Sequence, residues 1–137
     1  MNAFNPQTLS THLLRVSLGI MFIAHSVILK YFVFTLPGTA QYFASLGLPS
    51  ALAYVVFAAE AIGGVLLVIG VQTRLVSLGL IPILAGALWV HAGNGWVFSG
   101  NGGGWEYPLF LIVISVVVAL QAPQTLFARS ATRTVAA

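Results

Sequence analysis

Four long apolar stretches dominate this chain of 137 residues, approximately over residues 13–34, 51–70, 75–92 and 105–122. A helix needs about 20 mostly apolar residues to cross the hydrocarbon core of a bilayer. The stretches lack the strict alternation that is typical of barrel strands. The sequence therefore predicts an all-α fold, an integral membrane four-helix bundle, in which residues 1–137 form one domain and residues 123–137 a tail.

Charged residues are too few for a soluble protein of this size. They make up 5% of the chain, whereas soluble domains are about a quarter charged. No basic cluster follows a nucleic-acid backbone, so a nucleic-acid partner is not expected. The absence of cysteine excludes disulfides, thiol redox chemistry and cysteine-based metal sites. The partner that remains is the lipid bilayer.

The distribution of arginine predicts the orientation. Arg15 begins the first stretch and is predicted to be an anchor at the cytoplasmic membrane surface, Arg74 lies in the second connection, and Arg129 and Arg133 lie in the tail. Lys and Arg favour the cytoplasmic side of a membrane, so both termini are expected in the cytoplasm. Residues 1–11 carry no basic side chain, which argues against a cleaved signal peptide.

The connections contain further local signals. The segment over residues 39–46 can be a short helix on the outer surface or a plain loop, and Pro82 is expected to kink the third span. Small residues are expected at helix contacts, with Gly63 and Gly64 in the second span and Gly79 and Gly86 in the third. Aromatic side chains near the predicted outer end resemble an interfacial belt. They are Tyr31, Phe32, Phe34, Tyr42, Phe43, Trp89, Trp96, Trp105 and Tyr107.

Ionisable side chains within the spans are predicted to share one layer. At 1.5 Å per residue, His25 and Glu60 lie roughly 18 and 20 Å from the cytoplasmic end, and His91 and Lys30 about 24 and 26 Å. Glu106 begins the fourth span at its outer end. Because such groups are costly in a membrane, each needs a partner or a function. The layer is therefore the candidate site.

Two interpretations of this layer remain open. Glu60 is either a proton-accepting or ligand-binding group, or the partner of Lys30 in an ion pair or of His25 in a hydrogen bond. Lys30 could instead extend to the outer surface. His25 and His91 are weighed as haem ligands and, with Glu60, as metal ligands. Neutral histidines that hydrogen-bond across helices are preferred, and no metal site is predicted.

Four motifs in register resemble the DoxX family. LLRVSLGIMFIAHSVILK is similar to its opening helix, FASLGLP to its first outer loop, AEAIGGVLLVIGVQTR to its second helix and turn, and NGGGWEYPL to its fourth-helix entry. They occupy residues 13–30, 43–49, 59–74 and 101–109. Ser26 departs from the glycine that usually follows the histidine, which puts the packing beside His25 in question.

The resemblance implies a four-helix, multi-pass protein of the bacterial-type inner membrane, and some relatives are linked to quinone-coupled oxidation. The first hypothesis is a membrane subunit of an oxidoreductase system that binds quinone or a small redox-active molecule. The catalytic, proton-handling role falls to His25, Glu60 and His91. Ligand binding falls to Lys30, Glu106, Trp105 and Trp89.

The sequence also leads to expectations about binding partners, a cofactor and alternative functions. A soluble or membrane redox partner and a homo-oligomer are expected. Quinone is the candidate cofactor, and haem is disfavoured. The alternatives are a non-enzymatic scaffold with a structural polar layer, or a small transporter.

Overall fold

The computed structural model describes residues 5–123, and this part of the chain is all-helical. Its five helices run in chain order as α1 Pro6–Val33, α2 Leu36–Ser45, α3 Ser50–Ile69, α4 Thr73–His91 and α5 Glu106–Gln121. A single 3₁₀ turn, Ala92–Asn94, follows α4. Arg129, Arg133 and the predicted tail lie outside the described residues.

Helix α1 begins earlier than the predicted residue 13. The Asn5 side chain caps it by accepting a hydrogen bond from the Gln7 N–H at 3.0 Å, and Pro6 occupies the first turn. Both features favour a helix start at this point. The last part of α1, Ala24–Val33, is π-helical instead of α-helical. At its end the Phe34 N–H donates to the Leu29 carbonyl, five residues back, at 2.8 Å.

The segment between α1 and α3 is helical, which settles the choice between helix and loop. Thr35 precedes α2 with a φ of 62°, and its Oγ1 accepts a hydrogen bond from the Gly38 N–H at 3.2 Å. Gly47 follows the helix with a φ of +79°. Left-handed conformations on both sides allow the chain to turn sharply into and out of this short helix.

Close backbone contact joins α1 to α3. A Cβ atom built on Gly64 would lie 2.8 Å from the Gly19 carbonyl oxygen, and one on Gly63 would lie 2.9 Å from Leu80 Cδ1. The prediction of helix contact is thus confirmed for α3. Gly79 and Gly86 make no such contact within this chain, because no heavy atom would lie within 4 Å of a Cβ at either position, and a role for them in self-association stays a prediction.

The buried core lies between α1, α3, α4 and α5. Helix α1 packs against α3, and α4 packs against α5, while α3 also contacts α4 and α1 contacts α5. The core side chains are Leu18, Phe22, Leu67, Leu80, Leu84, Leu111 and Val118. Large apolar side chains also cover the outer faces of the helices, as Phe32, Ile62 and Leu120 illustrate. Such exteriors suit a lipid environment.

Arg15 stabilises the end of α3 instead of standing free as an anchor. Its Nη1 donates to the carbonyl oxygens of Leu67 and Val68. These carbonyls lie in the last turn, where the Leu67 oxygen otherwise accepts only a long bond of 3.3 Å from the Gly70 N–H, and a cation there also complements the helix dipole. Gly70, with a φ of +78°, ends the helix beside the guanidinium group.

Three helices are long and apolar enough to cross a membrane: Pro6–Val33, Ser50–Ile69 and Thr73–Asn94. Helix α4 continues through Pro82 without interruption. Helix α5 is apolar but has 16 residues, a length of about 24 Å at 1.5 Å per residue. It is shorter than the predicted 105–122 because Ala122 is extended and Pro123 follows.

Candidate functional site

A pocket of about 890 Å³ opens among all five helices. It brings together five of the residues that the sequence singles out: His25, Lys30, Glu60, Trp89 and His91. Apolar side chains form most of its wall. They include Met21, Phe22, Leu29, Phe34, Phe43, Leu46, Leu48, Leu52, Val56, Ile83, Leu84, Val90 and Leu111. Small-molecule sites typically have this size and composition, with a few polar groups in an apolar cavity.

Lys30 and Glu60 form an ion pair within the pocket wall. Lys30 Nζ lies 2.6 Å from Glu60 Oε2, and the two side chains are 17% and 7% exposed. Lys30 Nζ also donates to the His25 carbonyl at 3.4 Å. The expected pairing of Glu60 with Lys30 is thus observed. The alternative in which Lys30 extends to the outer surface is wrong.

The π-helical segment explains why His25 and Lys30 share the pocket. In an α-helix, residues five apart point about 140° away from each other. In a π-helix the backbone bonds join residues five apart, so these two side chains come to the same face. Ser26, between them, is fully buried and its Oγ donates to the Phe22 carbonyl at 2.8 Å. The serine is therefore accommodated beside His25.

Both pocket histidines are held by backbone carbonyls. His25 Nδ1 lies 2.8 Å from the Met21 carbonyl oxygen, and His91 Nδ1 lies 3.0 Å from that of Gly102. His25 also stacks on Tyr107, with ring centroids 5.4 Å apart and an interplanar angle of 23°. The expectation of hydrogen bonds across helices is wrong for both. His25 bonds within α1, and His91 bonds to the loop before α5.

Glu106 and Trp105 lie outside the pocket lining. Glu106 Oε1 accepts a hydrogen bond from the Phe98 N–H at 2.9 Å. Trp105 packs edge-on against Trp96, with ring centroids 4.5 Å apart. Both side chains order the loop between α4 and α5, and their role in ligand binding stays a prediction.

The described residues contain no group of three or more His, Cys, Asp or Glu side chains placed to hold a metal ion. His25, Glu60 and His91 line one pocket without forming such a group. The pocket is therefore described by its apolar wall and by the polar edge that Lys30, Glu60 and the two histidines form.

The DoxX family model matches residues 10–93, which is more than half of the chain. The chain belongs to the DoxX family. The matched region contains α2, α3 and α4 entirely, together with most of α1. Four ionisable pocket residues, His25, Lys30, Glu60 and His91, fall within it.

A relative from Bacillus subtilis (strain 168) carries the name "Putative oxidoreductase CatD". It is 39% identical to this DoxX protein over 112 residues, which are 82% of this chain and 78% of the relative. No solved structure matches this chain.

Sequence reasoning missed two contributions to the pocket of this DoxX protein. Tyr107 stacks on His25, and its hydroxyl is buried with no partner among the described residues. Helix α2 supplies Thr39, Tyr42 and Phe43 to the wall. The sequence indicates Tyr107 only as an interfacial aromatic. Its position next to Pro108, in the first turn of the last helix, is the signal that could have indicated a place in the pocket wall.

Proposed function

We propose that this DoxX protein is a membrane subunit of an oxidoreductase system and binds a quinone, or a similarly small redox-active ring, in the pocket. The observation that carries the proposal is the Lys30–Glu60 ion pair beside His25 in an otherwise apolar cavity. An ionic and titratable cluster in a membrane protein marks a functional site by default. The name of the Bacillus relative supports the same class of chemistry.

The proposed topology has four spans, α1, α3, α4 and α5, with both termini in the cytoplasm of a bacterial-type inner membrane. Helix α5 reaches the membrane surface through Trp105 and the ordered loop that precedes it. Arg15 and Arg74 lie at the same end of the bundle, since one is in the first half of α1 and the other at the start of α4. This placement agrees with the preference of arginine for the cytoplasmic side.

The pocket residues fit a quinone by shape and by chemistry. The apolar wall suits a ring and its hydrocarbon chain, and the volume lies in the usual range for small-molecule sites. The polar edge offers the Lys30 ammonium group, the Glu60 carboxylate and two imidazole rings. These groups can orient a ring oxygen in a site from which bulk water is largely excluded.

Proton handling is the role proposed for the chain's own residues. A quinone supplies the redox chemistry, because it takes up two electrons and two protons on reduction. His25 and His91 hold or release a proton at Nε2, and Glu60 accepts one when its pairing with Lys30 loosens. Since the chain has no cysteine, electrons come from a soluble or membrane redox partner, not from a thiol pair.

Purification in mild detergent followed by extraction of bound lipid-soluble quinone tests the proposal directly. A short-chain benzoquinone is then titrated while the fluorescence of Trp89, a pocket residue, is followed. Val56→Phe, which fills part of the cavity from α3, is expected to weaken binding about tenfold by excluding the ring. Val55→Phe is the matched control, because Val55 is exposed on the same helix and lies outside the pocket lining. A protein that neither carries nor binds quinone contradicts the proposal.

A scaffold that binds partners without redox chemistry is the second candidate, and the ion pair itself favours it. Lys30 and Glu60 join α1 to α3, so the polar layer can serve packing alone. In that case Glu60→Gln lowers stability, and quinone binding is absent in the parent protein as well. The quinone titration of the parent protein separates the two candidates, because only the oxidoreductase subunit requires that quinone binds.

A further inference from the structure

We infer that the pocket prefers a ligand that donates hydrogen bonds, so that a ring bearing hydroxyl groups, a quinol, binds more tightly than the corresponding quinone. This inference rests on the proposed function and specifies which form of the ligand the site selects. It follows from the hydrogen bonds that the pocket residues already make. Those bonds leave acceptor atoms without partners and use up most of the donors.

The tautomer of His25 is set by its backbone partner. The Met21 carbonyl oxygen, 2.8 Å from Nδ1, can only accept a hydrogen bond, so Nδ1 carries the proton. In a neutral imidazole the other nitrogen is then an acceptor. No hydrogen bond joins Nε2 of His25 to another described residue. This nitrogen is therefore the atom left to meet a ligand.

His91 has the same arrangement on α4. Its Nδ1 lies 3.0 Å from the Gly102 carbonyl oxygen, which again places the proton on Nδ1. The loop beside Gly102 and Gly103 holds that edge of the ring, since Gly103 lies against Nδ1 and Cε1. Nε2 of His91 is a second acceptor without a partner among the described residues.

Glu60 adds a third acceptor. Its Oε2 bonds to Lys30 at 2.6 Å, and the described residues provide no hydrogen bond to Oε1. A carboxylate oxygen can only accept. Three polar groups from α1, α3 and α4 thus present acceptors around the same pocket.

The donors are largely committed elsewhere. The Lys30 ammonium group commits two of its three N–H donors, to Glu60 and to the His25 carbonyl, and the Thr39 hydroxyl donates to the Thr35 carbonyl at 2.9 Å. The Tyr107 hydroxyl is closed off by its neighbours. Tyr42 and Trp89 carry donors, but these side chains are half or more exposed. A carbonyl oxygen that approached either Nε2 would face a lone pair.

A matched set of three ligands tests the inference: a decyl benzoquinone, its quinol, and the dimethyl ether of that quinol, all measured by equilibrium dialysis without oxygen. The quinol is expected to bind about tenfold more tightly than either other form, since only its hydroxyl groups can donate to Nε2. The ether keeps the ring, the chain and the oxygens and removes only the donors.

Two variants assign the preference to the histidine. His25→Phe keeps a planar ring against Tyr107 and removes the acceptor, so it should lower quinol affinity about tenfold and leave the quinone and ether unchanged. His12→Phe should leave all three affinities unchanged. Tighter or equal binding of the quinone overturns the inference while the proposed function stands. Binding of none of the three overturns both.

Discussion

Lys30 and Glu60 hold opposite charges 2.6 Å apart between two helices. Each charge is compensated by the other, and the Lys30 ammonium group also contacts the His25 carbonyl. In a site with little access to water, removal of one partner leaves an uncompensated charge, whereas removal of both leaves none. The ion pair therefore contributes to stability only while both charges are present, so Lys30 and Glu60 should be substituted together as well as singly.

A double-mutant cycle measures that compensation. Glu60→Met alone is expected to lower the free energy of unfolding by about 3 kcal/mol, since the ammonium group is left unpaired. The double variant Lys30→Met with Glu60→Met should recover most of this loss, because two apolar chains of similar volume fill the same space. Unfolding in mixed detergent micelles gives the free energy of unfolding of Lys30→Met, of Glu60→Met and of the double variant, each relative to the parent protein. Additive losses from the two single variants would show that the pair has no coupling energy.

The sequence predicted the residues of the site better than their contacts. His25, Lys30, Glu60 and His91 were identified because ionisable groups are costly within apolar spans, and all four line the pocket. Their hydrogen bonds were not predictable, since an α-helical projection puts Lys30 about 140° from His25. The composition of Ala24–Val33 does not indicate that this segment is π-helical. Arg15 was likewise assigned to the membrane surface because its partners are backbone carbonyls 52 and 53 residues away.

At the scale of helices, the apolar stretches predicted α3, α4, α5 and the end of α1 closely, because length and hydropathy alone indicate such segments, whereas α1 begins at Pro6 instead of residue 13. Helix ends followed local signals that are easily overlooked, such as the Asn5 cap and Pro6. The role of α2 in the pocket depends on tertiary contacts and could not be inferred from a ten-residue segment.

The contact between α1 and α3 should tolerate no added side chain. Gly64→Ala is expected to destabilise the protein by about 1–3 kcal/mol, because the new Cβ would lie 2.8 Å from the Gly19 carbonyl oxygen. Gly79→Ala is the matched control within a helix. It has open space around the Cβ and should stabilise the protein by about 0.5–1 kcal/mol through helix propensity. Thermal unfolding of both variants in detergent is the measurement, and equal shifts would refute the packing argument.

At the scale of the whole molecule, the absence of cysteine makes topology directly measurable. A membrane-impermeant maleimide should label Ser99→Cys in intact cells, since this exposed residue lies in the loop between α4 and α5. Val71→Cys, exposed between α3 and α4, and Ala137→Cys should react only after the membrane is disrupted. The cysteine-free parent is the control.

Each labelling result bears on one element of the topology. Labelling of Ser99→Cys and Val71→Cys from the same side would contradict a membrane crossing by α4. Labelling of Ala137→Cys from outside would contradict a crossing by α5, whose 16 residues are the shortest of the proposed spans. A fully reversed pattern would keep four spans and invert the orientation.

Helix α2 separates the shape of the pocket from the stability of the bundle. It supplies wall residues to the pocket, yet it lies outside the main core and is joined at each end through a left-handed residue, Thr35 and Gly47. Substitutions along its ten residues can reshape the cavity while the four long helices keep their contacts. Changes confined to α2 are therefore expected to alter the form of the cavity far more than the folding of the chain.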